Sequence, residues 1–119
     1  MPSILVVEDD EDLRRVIEQC LKDAGYEVIA VADPMAALDE LDRRTSVDLV
    51  MADVRFAPGQ PQGMSLASMV KWRSPEVRVL LITGHPDLMA MAREDGIPAM
   101  LKPIRMPALL KEIGAVLAR

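Results

Sequence analysis

The sequence predicts an α/β fold in which a parallel sheet is covered by helices on both faces. Two observations carry this. Short, continuous aliphatic runs alternate five times with segments whose apolar residues recur at helical spacing. The runs are apolar throughout and not alternating, the pattern of strands buried on both sides. A chain of 119 residues fits one domain, residues 1–119, and is long enough to bury a core without covalent staples.

Residues 3–8 form the first predicted strand. From Glu11 to Ala24 the residues Leu13, Val16, Ile17, Cys20, Leu21 and Ala24 recur at helical spacing, and Gly25 supplies a stop. "YEVIAVA" (26–32) is the second strand. Asp33 and Pro34 supply an N-cap and a first-turn proline for a second helix with Met35, Leu38 and Leu41 inward. "VDLVMAD" (47–53) is the third strand, and the Pro and Gly residues of "VRFAPGQPQG" mark a loop. A third helix follows over Met64–Arg73 and Pro75 closes it. "VRVLLIT" (77–83) is the fourth strand. "GHPDLMAMARED" gives a turn and a short fourth helix ending at Gly96. "AMLK" (99–102) is a short fifth strand, and Met106–Ala118 make the last helix. No repeat, low-complexity stretch or linker interrupts the series.

Composition narrows the function. Aromatic residues are only 3% of the chain, so Leu, Val, Ile, Ala and nine Met must fill the interior. The net charge of −5 leaves no basic excess to neutralise phosphates, which argues against direct binding of nucleic acid or an anionic membrane. The lone Cys20 excludes an intrachain disulfide, fits a reducing compartment, and reads as a small core residue. No apolar run approaches the ~20 residues that span a bilayer, and "MPSILVVED" lacks the layout of a signal peptide, so the cytoplasm is the expected location.

The informative stretch is "ILVVEDDEDL", in which a buried strand runs straight into Glu8, Asp9, Asp10, Glu11 and Asp12. Crowded carboxylates repel, so solvent, a helix end, a lysine or a metal ion must offset them. Asp10, Glu11 and Asp12 suit a helix N-terminus. In parallel sheets, ligands bind beyond the carboxyl ends of the strands. Glu8 and Asp9 follow strand 1, Asp53 ends strand 3, Thr83 ends strand 4 and Lys102 ends strand 5. All fall on one edge of the sheet.

The motifs "ILVVEDD", "DLVMAD", "LLITG" and "LKPI", in this order and over the whole chain, resemble the receiver domain of two-component response regulators. The resemblance implies a three-layer αβα sandwich of flavodoxin-like (βα)5 type with strand order 2-1-3-4-5, and a cis Lys102–Pro103 bond. It implies that Asp53 is the phosphoacceptor, that Asp9 binds Mg²⁺ directly, and that Glu8 acts through a metal-bound water. It places the metal-ligating backbone carbonyl at Arg55, the hydroxyl at Thr83 and the lysine at Lys102. Arg55 and His85 would tune the lifetime of the phosphoryl group. The implied partners are a sensor histidine kinase or phosphotransfer protein and an unidentified output partner, with dimerisation through the helix 4–strand 5–helix 5 face left open. The chain would catalyse only its own phosphorylation and dephosphorylation. It reads as a stand-alone regulator or a piece of a larger one.

Three features depart from the family pattern. Ala99 stands where a switch Tyr or Phe is usual, three residues before Lys102. "GIPAMLK" is one residue short, and "DVRFAPGQPQGM", which carries Phe56, is two residues long with its proline displaced. The expectation is an intact phosphorylation site with non-standard output coupling. A phosphorylation-independent interaction module is the main alternative. A haloacid-dehalogenase-like phosphatase would use "DED" at 10–12, but it leaves Asp53 idle and lacks a cap. A flavin carrier is disfavoured by the acidic first loop.

Overall fold

A computed structural model of the chain describes residues 1–43, 46–54 and 62–119. The elements run β1 (Ser3–Val7), α1 (Glu11–Asp23), β2 (Glu27–Val31), α2 (Pro34–Arg43), β3 (Leu49–Asp53), α3 (Gly63–Arg73), β4 (Arg78–Thr83), α4 (Pro86–Glu94), β5 (Ala99–Leu101) and α5 (Met106–Leu117). The sheet is parallel in the order β2-β1-β3-β4-β5. Fold class and strand order are those expected.

The continuous apolar strands make sense once the two faces are separated. Leu5, Val7, Val50, Ala52 and Leu81 pack with α2, α3 and α4, where Ala37, Leu38, Leu66, Val70 and Ala92 are buried. Ile4, Val6, Leu49, Met51, Leu80 and Ile82 point the other way, onto Ile17 and Leu21 of α1 and Leu109, Ile113 and Val116 of α5. Alternate side chains of each central strand thus feed two cores, so neither set can be polar.

Helix ends follow local chemistry. The Asp10 carboxylate accepts from the Asp12 and Leu13 amides at 3.0 and 3.2 Å, capping α1. Asp33 does the same for the Ala36 amide at 2.8 Å. Glu11 pairs with Arg15 one turn on, at 2.7 Å. The acids at 10–12 are therefore explained by the helix they begin. Gly25, at φ +97°, carries the chain out of α1 in the left-handed region. The Lys102–Pro103 bond is cis.

Several expectations are corrected in detail. Strands 1, 2, 3, 4 and 5 are each shorter than read, by one or two residues. Val16 and Met35 are half exposed and Ala24 is exposed, not inward, and Cys20 is only partly buried. The buried stripe of α1 is narrower than its apolar stripe: Ile17 and Leu21 are buried against the sheet and Leu13 packs at their margin. In α2, Ala37 and Leu38 take the inward places and Leu41 packs against the same cluster from its margin. β2 is an edge strand, only half covered, with Glu27 exposed.

Candidate functional site

The site grows from the ends of neighbouring strands. Parallel pairing of β1 with β3, β3 with β4 and β4 with β5 brings Val7 beside Ala52, Asp53 beside Ile82 and Thr83 beside Leu101. The next residues out, Glu8 and Lys102, still follow the sheet: the Glu8 amide donates to the Val31 carbonyl at 3.0 Å and the Lys102 amide to the Thr83 carbonyl at 2.7 Å. The functional side chains are therefore placed by the hydrogen-bonded ends of the sheet.

Lys102 Nζ lies 2.6 Å from Asp53 Oδ2 and 3.5 Å from Glu8 Oε1. The structure brings Asp53 and Lys102 together. The Glu8–Lys102 pair was not read from the sequence. Glu8 is nearly inaccessible, and its second oxygen accepts from the Asp10 amide at 3.1 Å. Its own carbonyl accepts from the Arg14 guanidinium at 3.0 Å, which ties α1 to the end of β1. Asp9 is exposed and its carboxyl meets that of Glu8. Thr83 is buried, and its Oγ1 accepts from the His85 amide at 3.1 Å. His85 itself is exposed at the N-cap of α4, without a capping bond from its side chain. Arg55 lies outside the described residues, as do Phe56 and most of the lengthened loop.

Burial pushes the Glu8 carboxyl upward from its ordinary 4.5. The Asp10 amide opposes that shift, the Asp9 carboxyl adds to it, the Lys102 charge opposes it and the Asp53 charge adds to it. For Lys102, burial alone would lower the pKa. The hydrogen bond and charge of Asp53, with Glu8 behind, outweigh it, and the net direction is upward. One ammonium thus serves two carboxylates, with a third beside them.

A carboxyl whose folded pKa is raised binds its proton more tightly in the native than in the unfolded state. Stability then falls as pH climbs from the ordinary Glu range through the folded pKa. Glu8→Gln is therefore expected to melt above the native protein near neutral pH. The gap should close below pH 4.5, where Glu8 is protonated in both states. Thermal melts across that range, without added metal, check this. A variant less stable at every pH would refute it.

Gly63 was missed as a site residue. It is buried at the first position of α3, and its amide donates to the Val54 carbonyl at 2.7 Å. A Cβ there would stand 2.6 Å from Val54 Cα and against the Asp53 carbonyl oxygen. Helix α3 thus starts in backbone contact with the residue that carries the carboxylate. The signal available in the sequence was the glycine immediately before the helical period of residues 64–73.

Among the described residues no three His, Cys, Asp or Glu side chains already form a closed metal site. The donor chemistry nevertheless fits Mg²⁺. A hard cation of this kind needs only one or two carboxylates and completes its shell with water and phosphate. The Asp53 and Glu8 carboxylates share the one Lys102 ammonium, so oxygen donors on this edge outnumber it.

The family model described as the response regulator receiver domain matches residues 4–114. The C4-dicarboxylate transport transcriptional regulatory protein DctD of Rhizobium meliloti is 35% identical over 97 residues, 80% of this chain and 20% of that protein. The response regulator protein FleR of Pseudomonas aeruginosa is 34% identical over 111 residues, 91% of this chain and 23% of that protein. The chain therefore spans about a fifth to a quarter of the length of these relatives. Among solved structures, a response regulator receiver domain protein of Clostridium thermocellum superposes with a TM-score of 0.90 at 26% identity, covering 100% of this chain and 96% of that one. Receiver domains are signalling domains that interact with histidine kinases or phosphotransfer proteins. The strand-end acids, hydroxyl and lysine stand in the fold of that family, and the chain belongs to the response regulator receiver domains.

Proposed function

We propose that residues 1–119 form one receiver domain that takes a phosphoryl group onto Asp53 from a histidine kinase or phosphotransfer protein and then loses it to water. The observation that carries the reading is the Lys102 ammonium 2.6 Å from the Asp53 carboxylate, at the end of a rigid sheet and with Glu8 beside it.

An Asp53 oxygen forms the new P–O bond as the P–N bond of the donor's phosphohistidine breaks, leaving a neutral imidazole once a proton is taken up. The carboxylate is already ionised and needs no base. Phosphoryl transfer asks the protein mainly for position and for positive charge on the moving oxygens. Lys102 supplies one such charge by turning from Asp53 to a phosphoryl oxygen. The Thr83 hydroxyl, an acceptor from the His85 amide at rest, is free to donate its own proton to another. Asp9, Asp53 and the Arg55 carbonyl would hold Mg²⁺, with Glu8 behind through bound water, and the ion would supply the remaining charge neutralisation.

Incubation with acetyl phosphate and Mg²⁺ is expected to add one phosphoryl group by intact mass, and none when the metal is chelated. A second reading, a phosphorylation-independent interaction module, is supported by Ala99. That residue is buried beside Leu81 on the face shared with α3 and α4, and none of residues 97–101 is aromatic. Absence of any labelling would select this alternative. If labelling occurs, the missing ring supports a relay to the surface that differs from the usual one.

His85, exposed two residues beyond Thr83, and Arg55, two beyond Asp53, are placed in the chain to restrict attacking water. Phosphoryl decay after removal of the donor should quicken in Arg55→Ala and His85→Ala. Unchanged decay in both would reject this role.

A further inference from the structure

A second cavity, of about 680 Å³, opens at the opposite end of the sheet from the acidic edge. It lies between α3, the start of β4, the turn from α4 to β5 and the end of α5. The six residues of β4 separate it from Thr83 by about 17 Å. Its size falls within the roughly 300–1,000 Å³ of small-molecule sites. Val77, Val79, Ile97 and Pro98 give its lining an apolar part about equal to its polar part, and it reaches the core residues Ala67 and Val116.

The charges at its mouth run against the rest of the molecule. The chain carries a net −5, yet Lys71, Arg78 and Arg119 line this cavity against the single acid Asp95. Arg78 already donates to the Arg119 carbonyl. Lys71 and the Arg119 guanidinium, both exposed, have no ion pair among the described residues. Ser65 and Ser68 add hydroxyls on the α3 side. A lining that is about half apolar and half polar suits an amphipathic molecule, and the sign of its charged groups selects an anion.

We propose that this cavity binds a small organic anion, a carboxylate or phosphate borne on an apolar body. The body lies on Val77, Val79 and Ile97, and the anionic group is held by Lys71 and Arg119. The molecule carries its own reporter. Trp72, the only tryptophan, is 89% exposed and adjoins the lining residue Lys71 in α3, within range of energy transfer.

The test titrates the full chain with the anionic dye anilinonaphthalene sulfonate, read by energy transfer from Trp72. The same titration is repeated with its uncharged counterpart phenylnaphthylamine. Saturable one-site binding of the anion is expected, weakened about fivefold or more by Lys71→Glu. Lys111→Glu makes the same charge change on an exposed part of α5 outside the cavity and should have no effect. Three results would each overturn the proposal. These are no saturable binding, equal loss in both variants, and equally tight binding of the uncharged dye.

Discussion

Asp53→Asn is expected to abolish phosphoryl labelling while leaving the protein folded. The side chain ends β3, where the backbone pairs with β4, and the substitution keeps its shape. Asn retains an oxygen that can accept from Lys102, so the contact now made at 2.6 Å can persist in weaker form. The amide is not a nucleophile toward phosphorus, and the rate should fall by several orders of magnitude, below detection by intact mass. Stability should change little, for two opposed reasons. Lys102 loses a charged partner, while Glu8 loses a neighbouring negative charge that disfavours its ionisation. If the variant still gained one phosphoryl group at the native rate, the nucleophile would lie elsewhere. Asp9, exposed on the same edge, would be the first residue to examine.

What could be read from the amino acids follows the strength of the physical constraint on each. Ile4 to Val7 must be apolar because the two faces of β1 feed different cores, and that shows as an unbroken run. Asp53, Thr83 and Lys102 could be aligned because strand ends in a parallel sheet share one edge, so position in the chain became position in space. Exposure was harder. Val16 and Met35 obey the helical period, but the contact surface of a helix on a sheet is narrower than the arc that period defines. β2 and β5 read as strands yet are the sheet's two edges, and only pairing order, which no single segment encodes, decides which strands are central.

Glu8 shows the limit most clearly. The resemblance gave it a role through metal-bound water, and the structure encloses its carboxylate between the Asp10 amide and Lys102. That placement depends on two groups, one two positions along the chain and one 94 positions away. Periodicity carries no information about the second. Ala99 posed the converse problem. The shortened "GIPAMLK" segment left its register open, and the pairing of Ala99 with Leu81 and Leu101 with Thr83 settles it. The residue itself was legible, and its place in the sheet was not.

Gly63→Ala is expected to be among the most damaging single-methyl additions in the molecule. The new Cβ would lie 2.6 Å from Val54 Cα and against the Asp53 carbonyl oxygen, both backbone atoms with no side-chain torsion to relieve the overlap. The strand cannot yield freely, because Asp53 is paired with Ile82 and the Val54 amide donates to the Ile82 carbonyl at 3.0 Å. Overpacking of this kind costs about 1–3 kcal/mol or more, which for a domain of this size lowers the melting temperature by roughly 5–15 °C. Gly114→Ala is the control. That glycine also lies in a helix, α5, but nothing stands within 4 Å of the added carbon. There the methyl should stabilise by about 0.5–1 kcal/mol, since Gly is the poorer helix former. The two substitutions add the same atoms and should move the melting temperature in opposite directions. Any relaxation around residue 63 must also shift the backbone that carries the Asp53 carboxylate. A misplacement near 1 Å slows an aligned transfer about a hundredfold, so labelling of the folded Gly63→Ala protein should be correspondingly slow. Equal melting temperatures in the two variants, or native labelling kinetics in Gly63→Ala, would show that α3 does not position Asp53.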